Sequence, residues 1–376
     1  MRLLYVIYRG YLGGLELHVA RIAQCLRSRH EVCVAIVGDA SNDPLVNQFK
    51  EMGVRCEVLG CKSGHDIRLF FRFLRLMCDF RPSLVHAHAM PFLCLVAMWF
   101  AKKCIPFVAS IHCPVVSPYS IVKRMLMRRI DMFLPVSQAT QDGLVRFYPH
   151  AKGRSEVLFN PLDLQTLPGK DTAYARRELG LDSQVRLMGM VARMEAQKKW
   201  KEFLDVSCRV LMRNPNVHSI ALGDGSQRDE LHRYWEMLTS GSPDVRTRLH
   251  WLGRRADAKQ IVGGLDVFLL ISVWEELPTT LLEAFGMRTP VVGNVPRGGM
   301  VEVLELGKRY GTIGLFDPDC SVDRMTDFVE RILSDSSLAA SCTSAAHELL
   351  LACFDARKVF DEQLEAIYRN LLERKS

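Results

Sequence analysis

The chain has 376 residues, 48% apolar and 24% charged, which excludes a disordered or collagen-like protein and suits two globular domains. Its formal net charge of +7 is unevenly placed: residues 1–165 hold 21 Lys and Arg against 12 Asp and Glu, whereas residues 166–376 hold 28 against 30. The basic first half indicates an anionic partner for that half, namely a phosphorylated substrate, a membrane surface or nucleic acid.

Short apolar runs alternate with helix-length amphipathic runs along the first half. The runs that predict strands are 3–8, 32–38, 84–87, 107–111, 132–136 and 156–159. Amphipathic runs such as 15–29 and 67–80 predict helices between them. This alternation is typical of βαβ units, so we expect a parallel sheet.

The alternation stops at 160–172, where Pro161, Pro168 and Gly169 are typical of a linker, and then begins again. Further strands are predicted at 186–191, 218–222, 248–252, 267–271, 290–293 and 312–316. The sequence therefore predicts an α/β protein of two doubly wound, Rossmann-like domains, 1–165 and 170–355, facing each other across a cleft. The amphipathic segment 356–376 either packs locally or returns to the first domain.

The cysteines and the apolar runs indicate a compartment. Six of the twelve cysteines lie inside apolar-periodic segments, where thiols behave as small apolar side chains. The closest pair, Cys56 and Cys61, has no matching Cys or His pair for zinc. The N-terminal residues lack a signal-peptide pattern, and the most apolar run, 92–101, is shorter than the roughly 20 residues that cross a bilayer. We therefore expect a cytoplasmic protein.

A glycine-containing loop, 9–14, follows the first predicted strand and precedes a helix. Glycines at such a turn, here Gly13 and Gly14, let the backbone approach a phosphate or a sugar closely. The spacing is not the GxGxxG of dinucleotide-binding domains, so a dehydrogenase is disfavoured. Taken alone, the loop fits an ordinary tight turn equally well.

The first predicted strand of the second half ends in a loop that contains Arg193 and Lys198. Two cations five residues apart at the carboxyl end of a strand suit a diphosphate and would neutralise charge on a leaving group. A solvated surface loop is the alternative for this segment taken alone.

Segment 272–286 predicts the end of a strand, a loop and the start of a helix. Pro278 favours a helix that begins there, and the helix N-terminus would present free N–H groups and a positive dipole end to an anion. Thr279 and Thr280 add hydroxyl donors. Glu275 and Glu283 flank this position and suit hydroxyl groups on either side of a phosphate. That arrangement fits a nucleotide sugar, and a capping Glu beside a surface Glu is the alternative.

Glu275-x7-Glu283, followed by Thr289-Pro290-Val291-Val292 and Gly298-Gly299-x-x-Glu302, resembles glycosyltransferase family four. Further segments match that family in order and spacing: Gly13-Gly14, Ile111-His112, Val136-Ser137, Asn160-Pro161-Leu162-Asp163, Arg193-x4-Lys198, Gly223-Asp224-Gly225 and Leu252-Gly253. The resemblance covers nearly the whole chain. It implies the GT-B fold, a reaction that retains anomeric configuration, and a terminal helix, 356–376, that returns to the first domain.

The resemblance also implies roles for the matched residues. Arg193 and Lys198 would stabilise the departing diphosphate, which would accept the acceptor's proton. Glu275 would bind hydroxyls of the donor sugar, and His112 would lie near the sugar C6 oxygen and the acceptor. The other donor-binding residues would be Gly13, Gly14, Asp224, Gly253, Thr279, Thr280 and, at the ribose, Glu283. Ser137 and Asn160 would lie on the acceptor side.

No DxD-type metal motif is evident in the sequence, and two cations already serve the diphosphate. We therefore expect no metal requirement and no other cofactor. The donor and the acceptor would be substrates.

Two segments concentrate the positive charge of the first half. On a helix over 121–133, Lys123, Arg124, Arg128 and Arg129 would form one stripe beside apolar residues, which is typical of helices that lie on anionic membranes. A basic helix that packs on the sheet or binds a soluble partner is the alternative. For 66–82 we favour packing on the sheet.

Together with the residues above, the family resemblance implies a metal-independent hexosyltransferase. Its donor would be a UDP-sugar or GDP-mannose, and its acceptor a hydroxyl of a glycan or lipid-linked saccharide in cell-surface polysaccharide or lipopolysaccharide synthesis, at the inner face of the cytoplasmic membrane. The alternatives are a nucleotide-sugar epimerase of the same build and a non-catalytic nucleotide-sugar-binding protein. Nucleic acid is disfavoured as a partner, because zinc motifs, a helix-turn-helix signature and aromatic-basic interleaving are lacking.

Overall fold

The computed structural model of the protein describes residues 1–8, 14–39, 44–63, 65–88, 92–100, 105–113, 115, 120–275, 277–295 and 297–375. The chain divides into two compact units. The first unit is Met1–Pro161 together with Ala356–Ser376, and the second is Leu162–Asp355. Each unit contains one six-stranded parallel sheet, so the prediction of two doubly wound α/β domains is confirmed.

The first unit is a parallel sheet with helices on both faces. Its strands are Arg2–Ile7 (β1), Glu31–Ile36 (β2), Arg55–Val58 (β3), Leu84–Ala87 (β4), Phe107–Ile111 (β5) and Met132–Pro135 (β6), in the spatial order β3-β2-β1-β4-β5-β6. Its helices in this range are Gly14–Leu26 (α1), Pro44–Glu51 (α2), Ile67–Phe80 (α3), Phe92–Phe100 (α4), Ile121–Met127 (α5) and Gln138–Phe147 (α6). Alternate residues of β1 enter two separate apolar cores: Leu4 and Val6 on one face, Leu3 and Tyr5 on the other.

Two sequence predictions for this sheet are wrong. The edge strand β3 was not predicted, because Arg55 and Glu57 break its apolar pattern. The predicted strand 156–159 is absent, although its backbone follows β6: the N–H of Leu158 donates to the carbonyl of Pro135 at 3.0 Å. Pro135 has no N–H to donate in return, so the ladder cannot continue beyond the bridge between Phe133 and Ser155.

The predicted helix over 121–133 is also wrong in its length. Helix α5 ends at Met127, and the chain then enters β6. Arg129 is buried, forms an ion pair of 3.0 Å with Asp131, and donates to the carbonyl oxygens of Met98 at 3.2 Å and Ile105 at 2.8 Å. Arg129 therefore lies outside the helix and is buried, so the four cations do not form one helical stripe.

The second unit repeats the architecture. Its strands are Arg186–Val191 (β7), Val217–Leu222 (β8), Leu249–Gly253 (β9), Val267–Leu270 (β10), Val291–Asn294 (β11) and Leu315–Asp317 (β12), in the spatial order β12-β11-β10-β7-β8-β9. Its helices are Tyr174–Glu178 (α7), Trp200–Arg213 (α8), Arg228–Leu238 (α9), Pro243–Thr247 (α10), Ala258–Gly263 (α11), Thr279–Gly286 (α12), Met300–Gly307 (α13), Val322–Ser334 (α14) and Ser336–Cys353 (α15).

The C-terminal segment packs within the first unit. A π-helix, Arg357–Leu364, leads directly into an α-helix, Glu365–Glu373 (α16). Phe360 and Tyr368 are fully buried in the core that contains β1, and the Tyr368 hydroxyl lies 3.1 Å from that of Tyr5. Arg29, in the turn after α1, forms an ion pair of 2.6 Å with Asp361.

The strand order of each sheet reverses at one point: between β1 and β4 in the first unit, and between β7 and β10 in the second. In open α/β sheets, ligands bind at the carboxyl ends of the strands beside such a switch point. The fold therefore directs attention to the loops after β1, β4 and β5, and to those after β7, β8 and β10.

Candidate active site

A cavity of about 690 Å³ opens at the switch point of the second unit. The loops after β7, β8 and β9 and the start of α12 line it. The lining residues are Val191, Ala192, Arg193, Glu195, Leu222, Gly223, Asp224, Gly225, Arg254, Arg255 and Thr280. Five of the residues singled out from the sequence are among them: Arg193, Gly223, Asp224, Gly225 and Thr280.

The wall of this cavity depends on glycine. A Cβ on Gly223, whose φ is +152°, would lie 1.8 Å from the carbonyl oxygen of Ala192, and one on Gly225 would lie 2.5 Å from that of Met194. The Met194 N–H donates to the carbonyl of Asp224 at 2.9 Å. The loops after β7 and β8 therefore touch backbone to backbone, a contact that only glycine permits.

Lys198 and Glu275 form an ion pair, although 77 residues separate them in the sequence. Glu275 is only 6% exposed and also accepts a hydrogen bond of 2.6 Å from the Ser272 hydroxyl. Backbone contacts bring the two loops together, since the Val273 N–H donates to the carbonyl of Gln197 at 2.8 Å. The sequence suggested the diphosphate as the partner of Lys198 and sugar hydroxyls as the partners of Glu275. In the structure the two side chains pair with each other.

A third loop fixes Glu275 from the other side. The Glu275 N–H donates to the Arg297 carbonyl at 2.8 Å, and the Arg297 N–H donates to the Val273 carbonyl at 3.2 Å. A Cβ on Gly298, with φ +103°, would lie 2.3 Å from the Glu275 carbonyl oxygen. Because Gly298 has no side chain, the turn after β11 contacts the backbone of Glu275 directly.

Helix α12 begins at Thr279, and its N-cap residue, Pro278, makes no side-chain capping hydrogen bond. Thr280 lines the cavity, so the positive end of the helix dipole is directed at that region. Glu283, in the second turn, is mostly buried and lies 3.7 Å from the ammonium of Lys259. Lys259 was not singled out from the sequence, because no local pattern connects it to Glu283.

The remaining donor-side residues hold the cavity wall. Asp224 accepts from the Gly225 N–H at 2.9 Å and lies 3.7 Å from Arg228. Gly253 has φ +60° and accepts a backbone hydrogen bond of 2.9 Å from Gly223. Arg254 and Arg255 line the cavity but were missed; their place directly after β9 was the available signal, since they occupy the carboxyl end of a parallel strand.

Three histidines meet at the switch point of the first unit. His112 follows β5, His88 follows β4, and His18 lies in α1. The Nδ1 atom of His88 lies 3.0 Å from Nε2 of His112, and the His18 ring packs edge-on against both. Burial lowers the pKa of His112 to about 4 and holds the pKa values of His18 and His88 well below the usual range, so all three rings are neutral near pH 7.

The other first-unit predictions have varied outcomes. Gly13 lies outside the described residues, and Gly14 begins α1. Ser137 is fully buried and caps α6, accepting from the Thr140 N–H at 3.0 Å; its hydroxyl is therefore used structurally, which does not support an acceptor-side role. Asn160 is partly buried, and its Oδ1 has no hydrogen-bond partner among the described residues.

Two doubly wound units in one chain, each with a six-stranded parallel sheet, have the architecture of a GT-B protein. Solved structures agree with this class. The crystal structure of Anabaena Alr3699/HepE in complex with UDP matches with a TM-score of 0.80 at 22% identity, over 98% of this chain and 99% of that one. WaaG, a glycosyltransferase involved in lipopolysaccharide biosynthesis, matches with a TM-score of 0.67 at 15% identity, over 97% and 99%.

The sequence comparisons give the family. The Glycosyltransferase Family 4 model matches residues 12–166, and the Glycosyl transferases group 1 model matches residues 171–349. The lipopolysaccharide core biosynthesis glycosyltransferase LpsE of Rhizobium meliloti (strain 1021) is 25% identical over 199 residues, 53% of this chain and 54% of LpsE. The 2-deoxystreptamine N-acetyl-D-glucosaminyltransferase of Streptomyces fradiae is 25% identical over 309 residues, 70% and 73% of the two chains. The chain belongs to glycosyltransferase family four.

Proposed function

We propose that the protein transfers a hexose from a nucleoside-diphosphate sugar to a hydroxyl of a glycan or lipid-linked acceptor, with retention of anomeric configuration, in cell-surface polysaccharide synthesis. A UDP-sugar is the first choice of donor and GDP-mannose the second. The observation that carries the proposal is that Arg193 and the start of α12 line one cavity, while Lys198 and Glu275, in the loops after β7 and β10, form an ion pair. UDP in the HepE complex and the lipopolysaccharide role in LpsE's name support the same substrate classes.

The charges of the site suit a diphosphate between two hydroxyl-rich groups. Arg193 and the N–H groups of α12 would face the diphosphate, with Glu283 beyond it at the ribose and Glu275 at the donor sugar. Lys198, held by Glu275, would then contact both the phosphate and the sugar side. As the bond to the anomeric carbon breaks, negative charge grows on the phosphate, and the fixed cations would stabilise that charge most in the transition state.

Retention would proceed on one face of the sugar. A double displacement needs a carboxylate nucleophile about 5 Å from the acid/base group. In the described part of the second unit, Glu275 is held by Lys198 and Ser272, and Glu283 lies beside Lys259, so neither is a ready nucleophile. The leaving phosphate would instead take the acceptor's proton, and the protein would contribute position and charge.

A screen of nucleotide sugars tests this function. We expect slow hydrolysis of one donor, detected by mass spectrometry as free sugar and nucleoside diphosphate, with the product sugar keeping the donor's anomeric configuration. The rate should not fall when EDTA is added, because cations of the chain serve the diphosphate. Interconversion of two nucleotide sugars without release would favour an epimerase, and binding without any turnover would favour a non-catalytic protein.

Replacing Glu283 by Ala is expected to weaken UDP binding by about ten- to a hundredfold, because a hydrogen bond to a charged group contributes roughly 1.5–3 kcal/mol. Isothermal titration with UDP measures this change. Glu305→Ala is the matched control, since Glu305 is an exposed carboxylate of α13 paired with Lys308 at 2.6 Å. Equal UDP affinity in the two variants would contradict the ribose assignment.

Membrane contact by the first unit is part of the proposal and has a surface to support it. Helix α5 exposes Ile121, Val122 and Met125, and the neighbouring α4 exposes Phe100 at 75%; Trp99 of α4 donates to the Leu126 carbonyl of α5 at 3.1 Å. The exposed cations Arg124 and Arg128 adjoin this apolar surface, while Arg129 is removed from it by burial. No described helix combines the length and apolar character needed to cross a bilayer.

Vesicle sedimentation tests the surface. We expect the protein to bind phosphatidylglycerol vesicles and to bind neutral phosphatidylcholine vesicles much less, because each cation near an anionic surface adds roughly 1 kcal/mol. The double change Ile121→Asp and Met125→Asp should abolish the binding. The control Met237→Asp changes a side chain of the second unit that is 64% exposed and should have no effect. Equal binding to both vesicle types would refute the proposal.

A further inference from the structure

The clustered histidines His18, His88 and His112 differ from His86, a buried histidine beside them, in how their ring nitrogens are hydrogen-bonded. His86 is as deeply buried, but both of its ring nitrogens are used: Nδ1 lies 2.6 Å from the Tyr368 hydroxyl and Nε2 lies 2.8 Å from that of Ser110. His18 and His88 are also buried, yet Nδ1 of His18 and Nε2 of His88 have no hydrogen-bond partner among the described residues. A buried polar atom without a partner costs roughly 1–3 kcal/mol.

The unpartnered nitrogens belong to rings that converge. One nitrogen from each of His18, His88 and His112 lies within 4.8 Å of the other two. Tetrahedral zinc with bonds of 2.0–2.1 Å places its nitrogen ligands about 3.4 Å apart. Nδ1 of His88 and Nε2 of His112 are 3.0 Å apart, which is close to that spacing, and His18 offers a nitrogen within 4.8 Å of a nitrogen of each.

The elements around the cluster are suited to hold such rings. His88 and His112 follow the neighbouring strands β4 and β5, which pair in parallel register. His18 lies one turn into α1, and Phe360 of the C-terminal π-helix packs edge-on against its ring with centroids 5.4 Å apart.

We propose that His18, His88 and His112 form a binding site for a borderline transition-metal ion, Zn²⁺ or Co²⁺, through one nitrogen of each ring. Three histidine ligands leave a fourth position for water or another ligand. The site lies in the first unit and takes no part in holding the donor diphosphate. Because His112 is also the residue that the proposed transfer places near the acceptor, a bound ion would withdraw it from that role.

Cobalt spectroscopy tests the site without any need for transferase activity. Titration of the metal-free protein with Co²⁺ is expected to give one ion per chain, with the visible bands of tetrahedral cobalt and without thiolate charge-transfer bands, and Zn²⁺ should displace it. His18→Gln and His88→Gln should each weaken Co²⁺ binding by more than the ten- to hundredfold that loss of an outer-shell partner costs.

Two controls separate this site from others. His218 and His250 of the second unit lie 2.9 Å apart through Nδ1 and Nε2 and are a rival pair, so His218→Gln should leave the spectrum unchanged. His86→Asn changes the neighbouring ring whose nitrogens are both used, and should also keep it. Cooperative thermal unfolding checks that each variant is folded.

A measurement on the wild-type protein tests the site even if the histidine variants do not fold. In ¹H–¹⁵N spectra of the imidazoles, three histidine rings should change together as one equivalent of Zn²⁺ is added. The proposal is overturned if the wild type shows no saturable Co²⁺ binding, if a folded His18→Gln or His88→Gln variant keeps it, or if the responding rings are His218 and His250. Failure of the donor screen would leave these results unaffected.

Discussion

Replacing Lys198 by Ala is expected to lower kcat by about 10²- to 10³-fold, the usual loss when one group that faces a developing charge is removed. The ammonium of Lys198 is fixed by Glu275, which is itself held by Ser272, so in the proposed reaction it is preorganised for the leaving phosphate. Steady-state kinetics with the donor found in the screen, at saturating acceptor, measure the effect, and the acceptor KM should change little.

The stability of this variant needs its own control. Removing Lys198 leaves the buried Glu275 without its cation, and breaking a buried pair typically costs roughly 3–5 kcal/mol. Adding Glu275→Gln to Lys198→Ala should recover the free energy of unfolding but not kcat. Lys201→Ala, which removes an exposed cation paired with Glu230 at 2.6 Å, should leave kcat unchanged. Normal turnover of Lys198→Ala would refute the assignment of this cation to the diphosphate.

Replacing Gly223 by Ala is expected to abolish UDP binding and to lower the free energy of unfolding by about 3 kcal/mol. The new Cβ would lie 1.8 Å from a backbone oxygen of Ala192, which cannot move without displacing the loop that carries Arg193. Urea unfolding followed by tryptophan fluorescence measures the stability, because four of the five tryptophans lie in the second unit.

Gly180→Ala is the matched comparison. Gly180 has φ +62°, but a Cβ there would meet nothing within 4 Å, so its cost is only that of the left-handed backbone, about 1 kcal/mol. UDP affinity of Gly180→Ala should equal that of the wild type. If the two alanine variants lose the same stability and both bind UDP, close contact between the loops after β7 and β8 is not what Gly223 provides.

The sequence predicted most of the fold because parallel strands that are buried on both faces have a strong local signature. Eleven of the twelve strands were located, and the exception is β3, an edge strand with alternating charges. The strand over 156–159 was predicted and does not form, since the missing N–H of Pro135 interrupts a ladder between segments far apart along the chain. The predicted helix over 121–133 is too long for a related reason: Arg129 donates to the carbonyl groups of Met98 in α4 and of Ile105 just before β5, and local periodicity contains no information about them.

For the candidate site too, the sequence located the residues, and only the structure showed which of them contact each other. The sequence by itself determined which loops carry Arg193, Lys198, Glu275 and His112 and which helix start carries Glu283. The carboxyl end of every strand in a parallel sheet lies at one edge, and strand order along the chain is enough to locate it. Only the tertiary structure decided which side chains meet. The pairing of Lys198 with Glu275, of Glu283 with Lys259, and the convergence of His18 with His88 and His112 depend on strand order in space and on backbone contacts between loops, and neither is encoded in the spacing of residues along one segment.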